Sequence, residues 1–323
     1  MNIAVIGATG AVGRTMLNVL KERKLPLDNL YLFSSARSAG MVIDGYTVEE
    51  LTPESFDRGI DIALFSAGGS ISKEYCPIAA KKGCVAIDNS SAWRMNPDVP
   101  LVVPEVNPQD IFEHKGIIAN PNCSTIQAMV ALAPLHKAYG IKRVIYSTYQ
   151  AVSGAGNKGI EDLERTARGE APQNFTRPIA GNCIPHIDSF ADDGYTLEEL
   201  KMINETRKIL HAPEMQITAT TVRVPVVAGH SESINITFER DFELRELRSI
   251  LENAPGLVVQ DDVENKVYPT PLECAGTDPV YVGRIRRDLS APNSLNIWVV
   301  ADNVRKGAAT NAVQIAEELL KAK

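Results

Sequence analysis

Cys123 is the residue of this sequence best placed for covalent chemistry. It follows an apolar run, Gly116–Asn120, that reads as a strand, and Pro121 blocks continuation of that strand. Asn122-Cys123-Ser124 then opens an apolar helical stretch, Thr125–Leu135. A thiol at a helix N-terminus lies at the positive end of the helix macrodipole, which favours the nucleophilic thiolate. A single cysteine without such a setting is more often a small buried hydrophobe, so placement is what distinguishes Cys123.

A second chemical feature is the run VIGATGAVG, in which Gly7, Gly10 and Gly13 fall between an apolar strand-like segment and a helix-like one. With Thr9, Ala11 and Val12 they form a turn where a pyrophosphate can sit against helix N-terminal amides. The spacing G-x-x-G-x-x-G is a variant of the usual dinucleotide fingerprint, and a tight turn without a ligand reads the same way except for its strand–turn–helix setting. An NAD site normally carries an acidic residue about 20 residues further on, at the end of the second strand. Here that position reads Ser34-Ser35-Ala36-Arg37-Ser38. Hydroxyls with a guanidinium suit a 2′-phosphate, which points to NADP.

The elements that must position these residues fall into two groups. Candidate strands Asn2–Ile6, Leu30–Phe33, Asp61–Phe65, Cys84–Asp88 and Gly116–Asn120 alternate with helices Ala11–Lys24 and Ser72–Lys82, the pattern of a parallel sheet covered by helices. Beyond Asn120 the strands lengthen and alternate: Val144–Gln150, Ile217–Val227, Ser233–Glu239, Val280–Arg286 and Leu295–Val300. With helices Asn157–Arg168, Leu197–Leu210 and Leu244–Glu252 they predict long antiparallel strands in an α+β domain. Val304–Leu320 has helical apolar spacing and is expected to return to the first domain. The expectation is an α/β chain: a Rossmann-type domain from 1–122 plus 302–323, and a catalytic and dimerisation domain from 123–301.

Composition supports this division. A chain of 323 residues exceeds the usual size of one hydrophobic core. Net charge is −7, without a basic run or a basic stripe interleaved with aromatics, which argues against a nucleic-acid partner. No apolar stretch reaches the roughly 20 residues that span a bilayer. The start of the chain lacks a signal-peptide pattern, so a cytoplasmic location is expected. The five cysteines are an odd count and include no C-x-x-C pair, so neither a disulfide framework nor a metal site is expected.

The run NPNCSTIQ resembles the active-site segment of the aspartate-semialdehyde dehydrogenase family. GATGAVG, SSARSAG, SSAWR, STYQAVSGAG, ETRKIL, RVPVVAGHSES, VGRIRRD and DNVRKGAA extend that resemblance, in family order, over essentially the whole chain. The resemblance implies that Cys123 attacks the acyl carbon of β-aspartyl phosphate, expelling phosphate and forming a thioester that NADPH reduces to aspartate 4-semialdehyde, a step in lysine, threonine, methionine and isoleucine biosynthesis. His230 would be the acid/base partner and Gln150 would orient the acyl group. Arg223 would clamp the substrate carboxylate, Glu205 would contact substrate, and Lys208 and Arg94 would bind phosphate beside Asn122. Ser153, Gly154 and Asn303 would lie near the nicotinamide half of the cofactor. A homodimer or homotetramer is implied as well.

The chemistry is consistent with that set: acyl-phosphate reduction needs an activated thiolate, a proton-bearing group and cations for an anionic leaving group. Taken singly, His230 reads equally as an ordinary polar histidine, Arg94 as an ion-pair partner, and Glu205 with Lys208 as a solvated pair three residues apart on one helix face. Two alternatives remain at this level. One is another phosphate-dependent acylating dehydrogenase, acting on N-acetylglutamyl phosphate or on glyceraldehyde phosphate. The other is a catalytically silent dinucleotide sensor.

Overall fold

The computed structural model describes residues 1–321, which divide into two compact units. The first runs from Met1 to Asn122 and resumes at Ala308; the second is Cys123–Gly307. The first crossing therefore falls between Asn122 and Cys123, and the second falls after Gly307 rather than at the expected 302.

The first unit contains β1 (Asn2–Ile6), α1 (Ala11–Glu22), β2 (Asn29–Ser34), β3 (Val42–Ile43), β4 (Tyr46–Glu50), β5 (Ile62–Phe65), α2 (Gly69–Lys81), β6 (Val85–Asp88) and β7 (Ile117–Ala119). They form a seven-stranded sheet of order β3-β4-β2-β1-β5-β6-β7, parallel except for the β3–β4 hairpin. β1 lies between β2 and β5, so its run Ile3-Ala4-Val5-Ile6 is buried on both faces, as a central parallel strand requires. The β3–β4 hairpin was not expected. Its turn is Asp44-Gly45, both at positive φ, the dipeptide that a tight two-residue hairpin favours.

The chain returns to this unit through a π-helical turn, Arg305–Thr310, and a helix at Asn311–Lys321. The single helix expected over Val304–Leu320 is thus two elements. The returning helix buries Ala312, Val313, Ile315 and Ala316 in the core that holds Met16, Leu17, Val19 and Leu20 of α1. Full burial of one Val or Ile side chain contributes about 1.5–3 kcal/mol. The bidentate Arg23–Glu317 pair between the two helices is partly exposed, and such pairs contribute roughly 0–1 kcal/mol. Packing therefore anchors this helix, and the ion pair adds little.

The second unit contains α3 (Cys123–Tyr139), β8 (Ile141–Gln150), α4 (Asn157–Ala167), α5 (Leu197–Ile209), β9 (Gln216–Arg223), β10 (His230–Phe238), α6 (Leu244–Glu252), β11 (Leu257–Val259), α7 (Pro271–Cys274), β12 (Val280–Arg287) and β13 (Ser294–Ala301); the returning helix of the first unit is α8. The six-stranded sheet has the order β11-β12-β13-β10-β8-β9. It is mixed, not wholly antiparallel as expected: β8 pairs parallel with β9, and β11 with β12. The reason is the crossover: between β8 and β9 the chain passes through α4 and α5 and re-enters in the same direction. α3 is apolar around most of its circumference and buried over Ser124–Leu132, the signature of a helix enclosed by its own unit. Among the described residues no helix is long and apolar enough to cross a membrane.

Candidate functional site

Four elements of the second unit converge on Cys123. It is the first residue of α3, partly accessible, and its Sγ lies 3.2 Å from Nε2 of His230, the first residue of β10. The other ring nitrogen of His230, Nδ1, accepts the backbone N–H of Ala151 at 3.0 Å. A backbone amide can only donate, so Nδ1 is unprotonated and the neutral ring carries its proton on Nε2, facing the sulfur. Burial, reinforced by the Arg223 charge and opposed by Glu198, pushes the His230 pKa down to about 3. His230 is thus a neutral ring with a fixed Nε2–H donor, and that donor and the helix N-terminus both favour negative charge on Cys123.

The end of β8 supplies the next contacts. Gln150 donates through Nε2 to Ser124 Oγ at 2.6 Å and to Glu198 Oε1 at 3.0 Å, while its Oε1 is buried without a hydrogen-bond partner. Glu198 at the start of α5 also receives Lys201 Nζ at 3.0 Å. Arg223 closes β9, is buried, and donates from Nη1 to the carbonyl of Ala151 at 2.7 Å. Its guanidinium lies 5.9 Å from the Phe175 ring centroid, and its Nε has no partner. Burial lowers the Arg223 pKa, yet a guanidinium starts so high that it stays charged. Gly154 is required by close approach: an added Cβ would stand 2.8 Å from Arg223 Nη1 and 3.3 Å from His230 Nε2. Ser153 is bonded to Asn303, whose Oδ1 also accepts the N–H of Gly229, the residue before His230. Glu205 is buried on α5; Lys208, one turn on, is half-buried, and desolvation lowers its pKa against the field of Glu205.

Arg94 and Asn122 belong to the first unit and are buried there. The Arg94 guanidinium donates to the carbonyls of Asn120 and Asn89, at 3.0 and 2.8 Å, gripping the chain just beyond β7 and β6.

The first unit also carries a cavity of about 380 Å³ lined by Gly7, Ser34, Ser35, Ala36, Glu50, Leu51, Ala67 and Tyr75, among others. Gly7 has φ +80°, and a Cβ there would meet the Ser66 carbonyl oxygen at 2.5 Å. Thr9 Oγ1 lies 3.0 Å from Ser34 Oγ; Gly10 caps α1, and Ala11 and Val12 present its first amides. Arg37 and Ser38 follow in a short 3-10 turn, with Arg37 exposed. A glycine cradle at a helix N-terminus beside a cavity suits a dinucleotide. Among the described residues no group of three or more His, Cys, Asp or Glu is disposed to hold a metal ion.

Sequence reasoning missed three contributors. Glu198 follows a capping-box threonine, Thr196, and reads as an ordinary first-turn acid until the fold brings it to Gln150. The Ala151 amide acts through backbone and leaves no mark in the sequence. Gly307 lies where a Cβ would come within 2.8 Å of the Cys123 Cβ; its segment, DNVRKGAA, carries no local signal for that need.

A dinucleotide-type sheet, with a Cys/His pair at a helix start in a second α+β unit, defines the class of acylating dehydrogenases. The family model described as semialdehyde dehydrogenase, NAD binding domain, matches residues 2–114, and that described as semialdehyde dehydrogenase, dimerisation domain, matches 132–306. Aspartate-semialdehyde dehydrogenase of Aquifex aeolicus is 58% identical over 99% of this chain and 98% of its own, and that of Bacillus subtilis is 50% identical with the same coverage. Among solved structures, aspartate semialdehyde dehydrogenase II of Vibrio cholerae superposes with a TM-score of 0.94 at 49% identity, covering 99% of this chain and 98% of that one. The same enzyme complexed with ASA gives 0.93, and the Candida albicans enzyme with NADP gives 0.77 at 26% identity, covering 98% of each chain. The chain belongs to the aspartate-semialdehyde dehydrogenase family.

Proposed function

We propose that this chain reduces β-aspartyl phosphate to aspartate 4-semialdehyde and inorganic phosphate, using NADPH and a thioester on Cys123. The observation that carries the reading is the 3.2 Å approach of His230 Nε2 to Cys123 Sγ at the start of α3. The Cys123 thiolate adds to the acyl carbon, the C–O bond to phosphate breaks, and a thioester remains. His230 Nε2–H moves from stabilising the thiolate to donating to the oxyanion that forms as the carbonyl is attacked. Arg223 holds the substrate carboxylate, Glu205 contacts the substrate, and Lys208 with Arg94 takes the phosphate. Gln150, held in place by Ser124 and Glu198, would orient the acyl group.

The chemistry a bound cofactor would supply is hydride transfer, and Cys123 would then be the thiolate leaving group. Gly7, Thr9, Gly10, Ala11 and Val12 would hold its pyrophosphate, Ser34, Ser35, Arg37 and Ser38 its 2′-phosphate, and Ser153, Gly154 and Asn303 would border the nicotinamide. Residues 1–122 with the C-terminal return serve as the cofactor domain and the second unit as the catalytic and dimerisation domain.

A second copy of the chain is the proposed partner. The helices α3, α5 and α6 leave one face of the six-stranded sheet bearing Ser233, Tyr149 and Trp298, the last two with ring centroids 5.5 Å apart. That face suits a homodimer contact, with a homotetramer the alternative assembly.

The deciding assay is phosphate-dependent reduction of NADP by aspartate semialdehyde. Turnover with N-acetylglutamate semialdehyde or glyceraldehyde 3-phosphate, and none with aspartate semialdehyde, would overturn the substrate assignment.

A further inference from the structure

The cavity of the first unit contains a carboxylate where the sequence pattern showed none. β2 ends in Ser34, without the acid that usually meets an adenosine ribose. In the parallel register of β2 with β4, however, Ser34 is paired with Glu50, and both line the cavity. Paired residues of adjacent strands point to the same face about 5 Å apart, so Glu50 and Ser34 present their side chains to the same face of the sheet.

Its neighbour Glu49 is engaged elsewhere, gripped by Arg58 at 2.7 and 2.6 Å, with that guanidinium over the Tyr31 and Phe33 rings. Among the described residues Glu50 has neither an ion pair nor a side-chain hydrogen bond, and it is exposed. Its field reaches Tyr75, another lining residue: burial first, then Glu74, Glu50 and Glu54, raise the tyrosine pKa. The apolar lining residues Leu51, Ala67, Ile71 and Tyr75 suit a purine, which leaves Ser34 and Glu50 for the attached ribose.

We propose that Glu50 is a specificity-determining residue that accepts a hydrogen bond from the adenosine ribose hydroxyls, so that this chain takes NAD as well as NADP. The inference rests on reading the first unit as a dinucleotide domain. A ribose diol donates to a carboxylate, whereas a 2′-phosphate at the same place is repelled by it and must swing toward Ser35 and Arg37. Two opposed groups thus flank one ribose position: Glu50 from β4 favours the unphosphorylated cofactor and Arg37 the phosphorylated one.

The test is calorimetric measurement of Kd for NADP and NAD on wild type, Glu50→Gln, Glu50→Ala and Arg37→Ala. Wild type binds both cofactors. Glu50→Gln raises the NAD Kd about tenfold and leaves the NADP Kd unchanged or lower, as loss of one charge-assisted hydrogen bond predicts. Arg37→Ala does the reverse. If both Glu50 variants keep the ratio of the two constants within about twofold of wild type, the proposal is wrong, including the case in which both affinities fall together. Binding of NADP alone to wild type would overturn the proposal and leave the dinucleotide reading standing, whereas binding of neither cofactor would sink both. Glu50 is exposed at a strand end, so its variants fold; melting curves beside the titrations check this.

Discussion

Gly154 passes so close to Arg223 that a single methyl group on its Cα would stand 2.8 Å from Nη1, with His230 Cε1 at 3.2 Å. The glycine is set by this approach and not by backbone strain. Arg223 and His230 are both buried, so neither can withdraw into solvent. Gly154→Ala should therefore displace the guanidinium and the imidazole together, lowering kcat/KM on the order of a hundredfold, the usual cost of misplacing catalytic groups by about 1 Å. Steady-state kinetics beside a circular-dichroism spectrum checks this; unchanged kinetics would show that the contact has room.

The His230 tautomer has a consequence for pH. Its folded pKa, about 3, lies below the 6.5 of a free imidazole. The group therefore contributes stability that is present above pH 6.5 and lost as pH falls toward 3. At pH 5 the loss is roughly 2 kcal/mol from this group alone. His230→Gln, inactive but neutral at every pH, should lose less thermal stability between pH 8 and pH 5 than wild type does. An equal or greater loss in the variant would mean that His230 is charged in the fold.

Glu232 titrates in the opposite sense. It lies two residues along β10 from His230, opposite Thr148 of β8, fully buried, with both carboxylate oxygens unpartnered. Burial, reinforced by the Glu198 charge, holds its pKa well above 4.5. The folded form keeps a proton that the unfolded chain releases, so stability falls as pH rises through and above 4.5. Glu232→Gln removes that loss. Its melting temperature relative to wild type should climb steadily from pH 5 to pH 8, and a flat difference would indicate that Glu232 is ionised in the native protein.

The two anion contacts should separate kinetically. Arg223→Lys cannot reproduce a planar two-point grip and should raise the apparent Michaelis constant for aspartate semialdehyde about tenfold or more. Lys208→Ala should chiefly raise that for inorganic phosphate. If Lys208→Ala left phosphate dependence intact while Arg223→Lys altered it most, the two roles would be exchanged.

Much of this was legible from sequence because its signals are local. The edges of β1 and α6 coincide with their apolar patterns, and Pro121 before Asn122-Cys123 marked the start of α3. Strand direction was not legible: alternation in β9 reports which face is buried and says nothing of the crossover through α4 and α5 that makes it parallel to β8. α1 was drawn to Lys24 but stops at Glu22, since Lys24 turns to φ +52°. The Asp44-Gly45 hairpin has a local signal as well, the Asp-Gly dipeptide at its turn. Glu198, the Ala151 amide and the Glu50–Ser34 pairing arise only when distant segments meet.

The thioester at Cys123 is the step that every other proposed role serves. In the oxidative direction, aspartate semialdehyde and NADP without phosphate should form the acyl-enzyme and stop there, because nothing is present to take the acyl group rapidly. Intact-mass spectrometry with peptide mapping should find one acyl adduct per chain, on Cys123, with one equivalent of NADPH released in a burst, and neither in Cys123→Ala. An adduct on Cys76, Cys84, Cys183 or Cys274, or NADPH formed without any adduct, would contradict the assignment.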